Sequence, residues 1–150
     1  MTTLARRAAP PLSGCTVDVP VRFAECDSYG VVWHGHYALY FEQAREAMTG
    51  RFGFTATRSL ALGYRVPITR MEIRYRRAVF ADTTVRVTAR LRPPEAARLL
   101  VDYEIRDKEG DLLASGETEQ VVVKEDGELL LTLPPAIAQL VAKILENQKG

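Results

Sequence analysis

Along the chain, apolar positions first recur every second residue and then change period. Val17, Val19, Val21 and Phe23 alternate with Thr16, Asp18, Pro20 and Arg22, which predicts a strand with one apolar face; Pro20 assigns it to an edge or a bulge. From Tyr37 the spacing becomes i, i+3, i+4, i+7 through Tyr40, Phe41, Ala44, Ala47 and Met48, predicting a helix over about residues 36–50 that stops near Gly50 and Gly53. Four further strands follow. Met71, Ile73 and Tyr75 mark the first, Val85, Val87, Ala89 and Leu91 the second, Leu99, Val101, Tyr103 and Ile105 the third, and a run within 112–124 the last. Pro93-Pro94 and Lys108-Glu109-Gly110-Asp111 are turn sequences too short for anything but antiparallel neighbours, so a meander is expected. Pro134-Pro135 opens a second helix with a stripe of Ile137, Leu140, Val141, Ile144 and Leu145, able to dock on the domain or on a second chain.

These elements predict an α+β fold, a five-stranded antiparallel sheet wrapped around one long helix, with a C-terminal helix added. Residues 1–14, with Arg, Ala, two prolines and no period, are expected to be a disordered or draped arm, and residues 15–150 a single domain. A sheet wrapped on one helix leaves an exposed edge, so a homodimer or a homotetramer is expected.

Composition narrows the function. The chain has 150 residues, 47% of them apolar and 26% charged, the balance of one compact domain. A net charge of +1 supplies no basic field for nucleic acid, and no apolar run approaches the roughly 20 residues of a membrane span. Cys15 and Cys26 make neither a disulfide framework nor a zinc pattern, so a reducing, cytoplasmic location and no metal are expected.

The candidate chemistry lies between the first strand and the helix, in Phe23-Ala24-Glu25-Cys26-Asp27-Ser28-Tyr29-Gly30-Val31-Val32-Trp33-His34-Gly35-His36-Tyr37. A strand-to-helix loop is ordinarily polar, yet this one interleaves Val31, Val32 and Trp33 with Asp27 and two histidines. Such a composition suits a carboxylate shielded from water beside a helix start, whose free N–H groups stabilise a developing oxyanion. Gly30 permits a sharp turn, and Gly35 removes a side chain that would block approach to the backbone. The plainer readings are that Asp27 is a turn residue and His34 a local cap, that Tyr37, Tyr40 and Phe41 are core, that Trp33 is a pocket wall or an interface anchor, and that His36 points outward. Cys26 beside Asp27 has no histidine at a spacing that favours a thiolate pair. Arg70, Arg74, Arg76 and Arg77 form either a solvated strand face or a cradle for a pyrophosphate.

The spacing Asp27-x-x-Gly30-Val31-Val32-x-His34-x-x-Tyr37, followed by Phe41-Glu42-x-x-Arg45, resembles the signature of the 4-hydroxybenzoyl-CoA thioesterase family, the hotdog-fold acyl-CoA thioesterases. The likeness extends over about residues 16–125. It implies hydrolysis of an acyl-CoA or acyl-carrier-protein thioester, with Asp27 as nucleophile or general base and the backbone N–H at His34 polarising the carbonyl. It implies a substrate pocket containing Gly30, Val32, Trp33 and Tyr37, with Pro67 and Ile68 contributed by a second subunit. Glu42 and Arg45 are expected to pair at i, i+3. No cofactor is implied beyond the CoA or phosphopantetheine that the substrate itself carries. Two other readings keep the same scaffold: a 3-hydroxyacyl-thioester dehydratase or hydratase using His34 or His36 with Glu42, and a non-catalytic acyl-thioester-binding module.

Overall fold

The computed structural model describes residues 10–149. In chain order it contains β1 (Cys15–Pro20), α1 (His36–Gly50), α2 (Ala56–Ala61), β2 (Tyr64–Arg65), β3 (Ile68–Tyr75), β4 (Thr84–Leu91), β5 (Leu99–Arg106), β6 (Leu112–Gln120), β7 (Val123–Lys124) and α3 (Pro135–Lys149). The main sheet has five antiparallel strands in the order β1-β4-β5-β6-β3, and β2 pairs with β7 as a separate two-stranded ribbon. This is the hotdog layout, α+β, with α1 as the filling of the sheet.

The helical period of residues 37–48 has a direct packing result. Tyr37, Tyr40, Phe41, Ala44 and Met48 are all buried on the sheet side of α1. Phe41 stacks on Tyr103 of β5 with ring centres 4.5 Å apart. The sheet makes room for it at Gly116, where an added Cβ would lie 2.5 Å from the Phe41 ring and 2.4 Å from the Glu72 carbonyl oxygen. A close-packed interior does not absorb such an overlap. Ile137, Leu140, Val141 and Ile144 are buried in the same core, so α3 docks on its own chain.

Two expectations change. The meander holds for β4, β5 and β6, but β3 does not join it: the chain crosses from β3 to β4, and β3 pairs with β6 at the far edge. Strand one also ends sooner. Val21 is buried beyond its end, while Phe23 belongs to a 3-10 turn over Phe23–Glu25 and is 79% exposed. Pro20 does sit on an edge strand, β1. The short helix α2 has no strong period to announce it; Thr55 caps it, its hydroxyl accepting from the Arg58 N–H at 3.2 Å.

Residues 1–9 of the expected arm lie outside the described residues. Next along the chain, the Leu12 N–H donates to Glu104 Oε2 at 2.9 Å, and Arg90 donates to the Ser13 carbonyl at 2.8 Å. At the other end of the chain, Gln148 of α3 treats Leu91 as a strand neighbour would. Its Oε1 accepts from the Leu91 N–H at 2.8 Å and its Nε2 donates to the Leu91 carbonyl at 2.8 Å, beyond the last β1 pairing at Ala89. The outer face of the sheet is a lattice of ion pairs. Arg92 reaches Asp102 at 2.5 Å and Glu117 at 2.6 Å, Arg70 reaches Glu117, Arg74 reaches Glu72 at 3.0 Å, and Arg77 reaches Asp111 at 2.7 Å. Arg70 and Arg74 of β3, and Arg77 just beyond its end, are therefore committed to carboxylates.

Candidate active site

The loop between β1 and α1 folds back on itself as a narrow two-stranded ladder. The Trp33 N–H donates to the Glu25 carbonyl at 2.9 Å, Cys26 bridges Val32, and the Asp27 N–H donates to the Val31 carbonyl at 2.8 Å. The Gly30 N–H closes the tip onto the Asp27 carbonyl at 3.0 Å, and Gly30 adopts φ +77°, a conformation that favours glycine. A second row of pairings fastens this ladder to the chain between β3 and β4: the Val32 N–H donates to Val79 O at 2.8 Å, and Val31 bridges Phe80.

Asp27 is half-buried at the tip. Its Oδ1 accepts from the Tyr29 N–H at 2.8 Å, which fixes the plane of the carboxylate. Oδ2 has no hydrogen-bond partner among the described residues and is available to a ligand or a water. Helix α1 begins two residues after His34 without a side-chain cap and without an acidic residue in its first turn. Its leading N–H groups and their partial positive charge are therefore not neutralised from within the helix.

Glu25 and Tyr75, neither of them anticipated as site residues, hold this arrangement. Glu25 Oε1 accepts from the Arg22 N–H at 2.8 Å and from the Tyr40 hydroxyl at 2.9 Å, tying the loop to the buried face of α1. Burial and then the Glu25 carboxylate raise the Tyr40 pKa far above the usual phenol range, so the phenol remains a donor. The Tyr75 hydroxyl donates to the His34 carbonyl at 2.8 Å, pinning the approach to α1 against the end of β3. Residue type gives no hint of either contact, because Glu25 and Tyr40 are 15 positions apart and Tyr75 and His34 are 41 apart.

Among the residues expected to contact substrate, the structure brings part of the set together. Trp33 is 49% exposed, and its ring lies where a Cβ on Gly35 would come within 2.2 Å of it, so the space opened by Gly35 is taken by indole. His34 is exposed, with its ring centre 4.9 Å from Trp33. His36 does not simply point outward: it is half-buried, its ring 5.8 Å from Trp33, with Nδ1 enclosed and unpartnered. Tyr37 is buried and meets Tyr75 edge-on with ring centres 4.7 Å apart, and Val32 is buried in the core. Pro67 and Ile68 are exposed at the start of β3, whereas the loop is fastened to its other end at Tyr75, so a single chain does not unite them with Asp27. Nor does one chain shield the loop from water: Tyr29 is 88% exposed beside Asp27.

Other chemistries are less well provided for. Glu42 is engaged by Arg45 at 3.1 Å, the expected i, i+3 pair, and no hydrogen bond joins it to either histidine among the described residues. Cys26 Sγ faces the Arg22 carbonyl at 3.7 Å, and both cysteines are free. No group of three or more His, Cys, Asp or Glu able to hold a metal ion occurs among the described residues, and none of their helices is long and apolar enough to cross a membrane.

A helix-filled sheet with a carboxylate-bearing loop at the helix start defines a class, the hotdog thioesterase-like proteins. The pattern of the thioesterase-like superfamily matches residues 21–141, and the chain belongs to that family. It is 25% identical over 105 residues to the 1,4-dihydroxy-2-naphthoyl-CoA hydrolase of Thermosynechococcus vestitus, a match covering 69% of this chain and 72% of that one. The crystal structure of the DHNA-CoA thioesterase from Staphylococcus aureus superposes with a TM-score of 0.78 at 28% identity, covering 90% of this chain and 94% of the other. Slr0204, a 1,4-dihydroxy-2-naphthoyl-CoA thioesterase from Synechocystis, shares the fold with a TM-score of 0.77 at 21% identity, over 85% and 94% of the two chains.

Proposed function

We propose that the protein is a thioester hydrolase acting on acyl-CoA or on the acyl-phosphopantetheine of an acyl carrier protein, in the cytoplasm, with no cofactor beyond the one its substrate carries. The thioester carbonyl oxygen accepts a hydrogen bond from the backbone N–H at the start of α1 near His34. Asp27 attacks the carbonyl carbon or removes a proton from the attacking water. As the carbon–sulfur bond breaks, the electron pair leaves with sulfur, which takes up a proton; with Asp27 as base the attacking water gives the free acid directly, and with Asp27 as nucleophile the resulting acyl-aspartyl anhydride is hydrolysed by water, which regenerates the carboxylate and releases the free acid.

The observation that carries this reading is the asymmetry of the Asp27 carboxylate: one oxygen fixed by the Tyr29 N–H, the other without a hydrogen-bond partner among the described residues, in a loop that leads into a helix with no side-chain cap. Oxyanion stabilisation by preorganised N–H groups is commonly the largest part of such catalysis. The family membership supports the same chemistry. Gly30, Val32, Trp33 and Tyr37 build one wall of the site. Pro67 and Ile68 come from a second copy paired through β3, the exposed edge strand, in a homodimer or a dimer of dimers.

Turnover of a panel of acyl-CoA and acyl-carrier-protein thioesters by wild type and Asp27→Asn tests the mechanism. The variant is expected to lose about 10²–10⁴ in kcat. Equal turnover by the two proteins removes Asp27 from the reaction.

A further inference from the structure

The backbone N–H groups of residues 32–36 lead into α1, and they are not treated alike. Those of Val32, Trp33 and His36 donate to the carbonyls of Val79 at 2.8 Å, Glu25 at 2.9 Å and Trp33 at 2.9 Å. Those of His34 and Gly35 have no hydrogen-bond partner among the described residues. The site described above draws on the N–H near His34 and gives the one at Gly35 no part.

His34 and Gly35 are also the central residues of a turn, closed by the His36 N–H on the Trp33 carbonyl. The peptide between the central residues of such a turn is the one that can rotate: type I becomes type II when that peptide turns over and the third residue takes φ > 0. Here the third residue is Gly35, the residue type for which φ > 0 costs least. It stands at φ −71°, ψ −20°, on the type I side of that choice. Inversion would put the His34 carbonyl oxygen where the Gly35 N–H points. An electronegative atom would then face the oxygen that becomes negative in the reaction.

The orientation is held from β3. The Tyr75 hydroxyl donates to the His34 carbonyl at 2.8 Å, a bond that the inverted peptide could not accept in that direction. The phenol is aimed in turn by its ring, which meets the buried Tyr37 edge-on with ring centres 4.7 Å apart. Partial burial raises the Tyr75 pKa above the usual phenol value, so the hydroxyl keeps its proton. A hydrogen bond at the carbonyl end of a peptide also strengthens the donor at its N–H end, because the two belong to one polarised unit.

We propose that Tyr75 is a positioning residue for thioester hydrolysis: its hydroxyl latches the His34–Gly35 peptide so that the Gly35 N–H is a second donor, beside that of His34, to the thioester carbonyl oxygen. This inference rests on the hydrolase reading above and adds the second donor and the group that holds it. Tyr75 itself touches no reacting atom.

Tyr75→Phe removes the hydroxyl and keeps the ring. His34–Gly35 is the only His–Gly step in the chain, so isotopic labelling of histidine carbonyl carbon and glycine nitrogen gives one amide correlation by NMR, that of the latched peptide. In Tyr75→Phe this correlation is expected to shift or divide in two. The thermal unfolding midpoint should stay that of wild type, as should the affinity for S-octyl-CoA, a thioether without a carbonyl oxygen. Turnover of acetyl-, octanoyl- and benzoyl-CoA is expected to fall about three- to tenfold in kcat with KM within about twofold, the effect of one ordinary hydrogen bond on the competent population. Replacing Tyr75 by a ring-fluorinated tyrosine, a stronger donor of nearly the same shape, is expected to keep the wild-type kcat.

An unmoved correlation overturns the latch, and so does a Tyr75→Phe kcat equal to that of wild type. A loss of kcat accompanied by equally weakened S-octyl-CoA binding and a lowered unfolding midpoint marks a structural role alone and overturns it too. Failure of the hydrolase reading, which would take the inference with it, looks different: Asp27→Asn then turns over all three thioesters as wild type does, or wild type turns over none of them.

Discussion

The two ends of the sheet are finished in opposite ways. Where α3 meets β4, the strand outlasts its neighbour, and the Gln148 amide supplies the missing partner to both backbone groups of Leu91. Where the loop meets α1, the helix start has no side-chain cap, one oxygen of Asp27 has no hydrogen-bond partner among the described residues, and Trp33 and Tyr29 face solvent. Satisfying every polar group stabilises a fold; leaving a few unsatisfied on a rigid frame creates a place where a ligand gains more than water does. The frame at the open end is stiff because Glu25, Tyr40 and Tyr75 hold it.

Substitutions at the two ends should separate rate from stability. The largest effect is expected at Asp27: Asp27→Asn lowers kcat by about 10²–10⁴ while thermal unfolding shifts little, as measured by steady-state kinetics and calorimetry on the same preparation. In the shared core, Phe41→Ala removes the ring stacked on Tyr103 and is expected to cost about 3–5 kcal/mol in chemical denaturation. At the closed end, Gln148→Ala leaves the Leu91 N–H and carbonyl without their partner, for a loss of about 1–3 kcal/mol with kcat unchanged. A fall in kcat there would mean that the two ends are coupled.

The smallest effect concerns the outer face. Hydrogen bonds from Arg70 and then Arg92 lower the Glu117 pKa below the ordinary carboxylate range. A depressed pKa means that the stabilisation is present above the unfolded value of about 4.3 and is lost as pH falls through the folded one. Melting curves of wild type and Glu117→Gln should therefore differ at neutral pH by no more than about 1 kcal/mol and converge as pH falls through the depressed Glu117 value.

The elements whose partners lie within their own period were legible in the sequence: the α1 stripe from Tyr37 to Met48 and the α3 stripe both gave their bounds and their buried faces. Strand β3 was legible as a strand but not in its place, because alternation at Met71, Ile73 and Tyr75 reports a pleated surface and carries no information about which neighbour fills the other edge. The loop motif singled out the segment from Asp27 to Tyr37, yet the exposure of Trp33 and the burial of Val32 depend on pairings with Glu25 and Val79 that the motif does not encode. A cavity of about 550 Å³ was not legible at all, since its walls are drawn from α1, α2, β2, β4, β5, β6 and α3 and exist only after those elements pack.

Trp33 is the sole tryptophan in the chain, and it sits half exposed with its indole over Gly35. The intrinsic fluorescence of the protein is thus a signal from one spot, the threshold of α1. A second subunit closing over the loop, or an acyl thioester entering it, would change the solvation of that ring and move the emission maximum, so assembly and occupancy can be followed optically without any label.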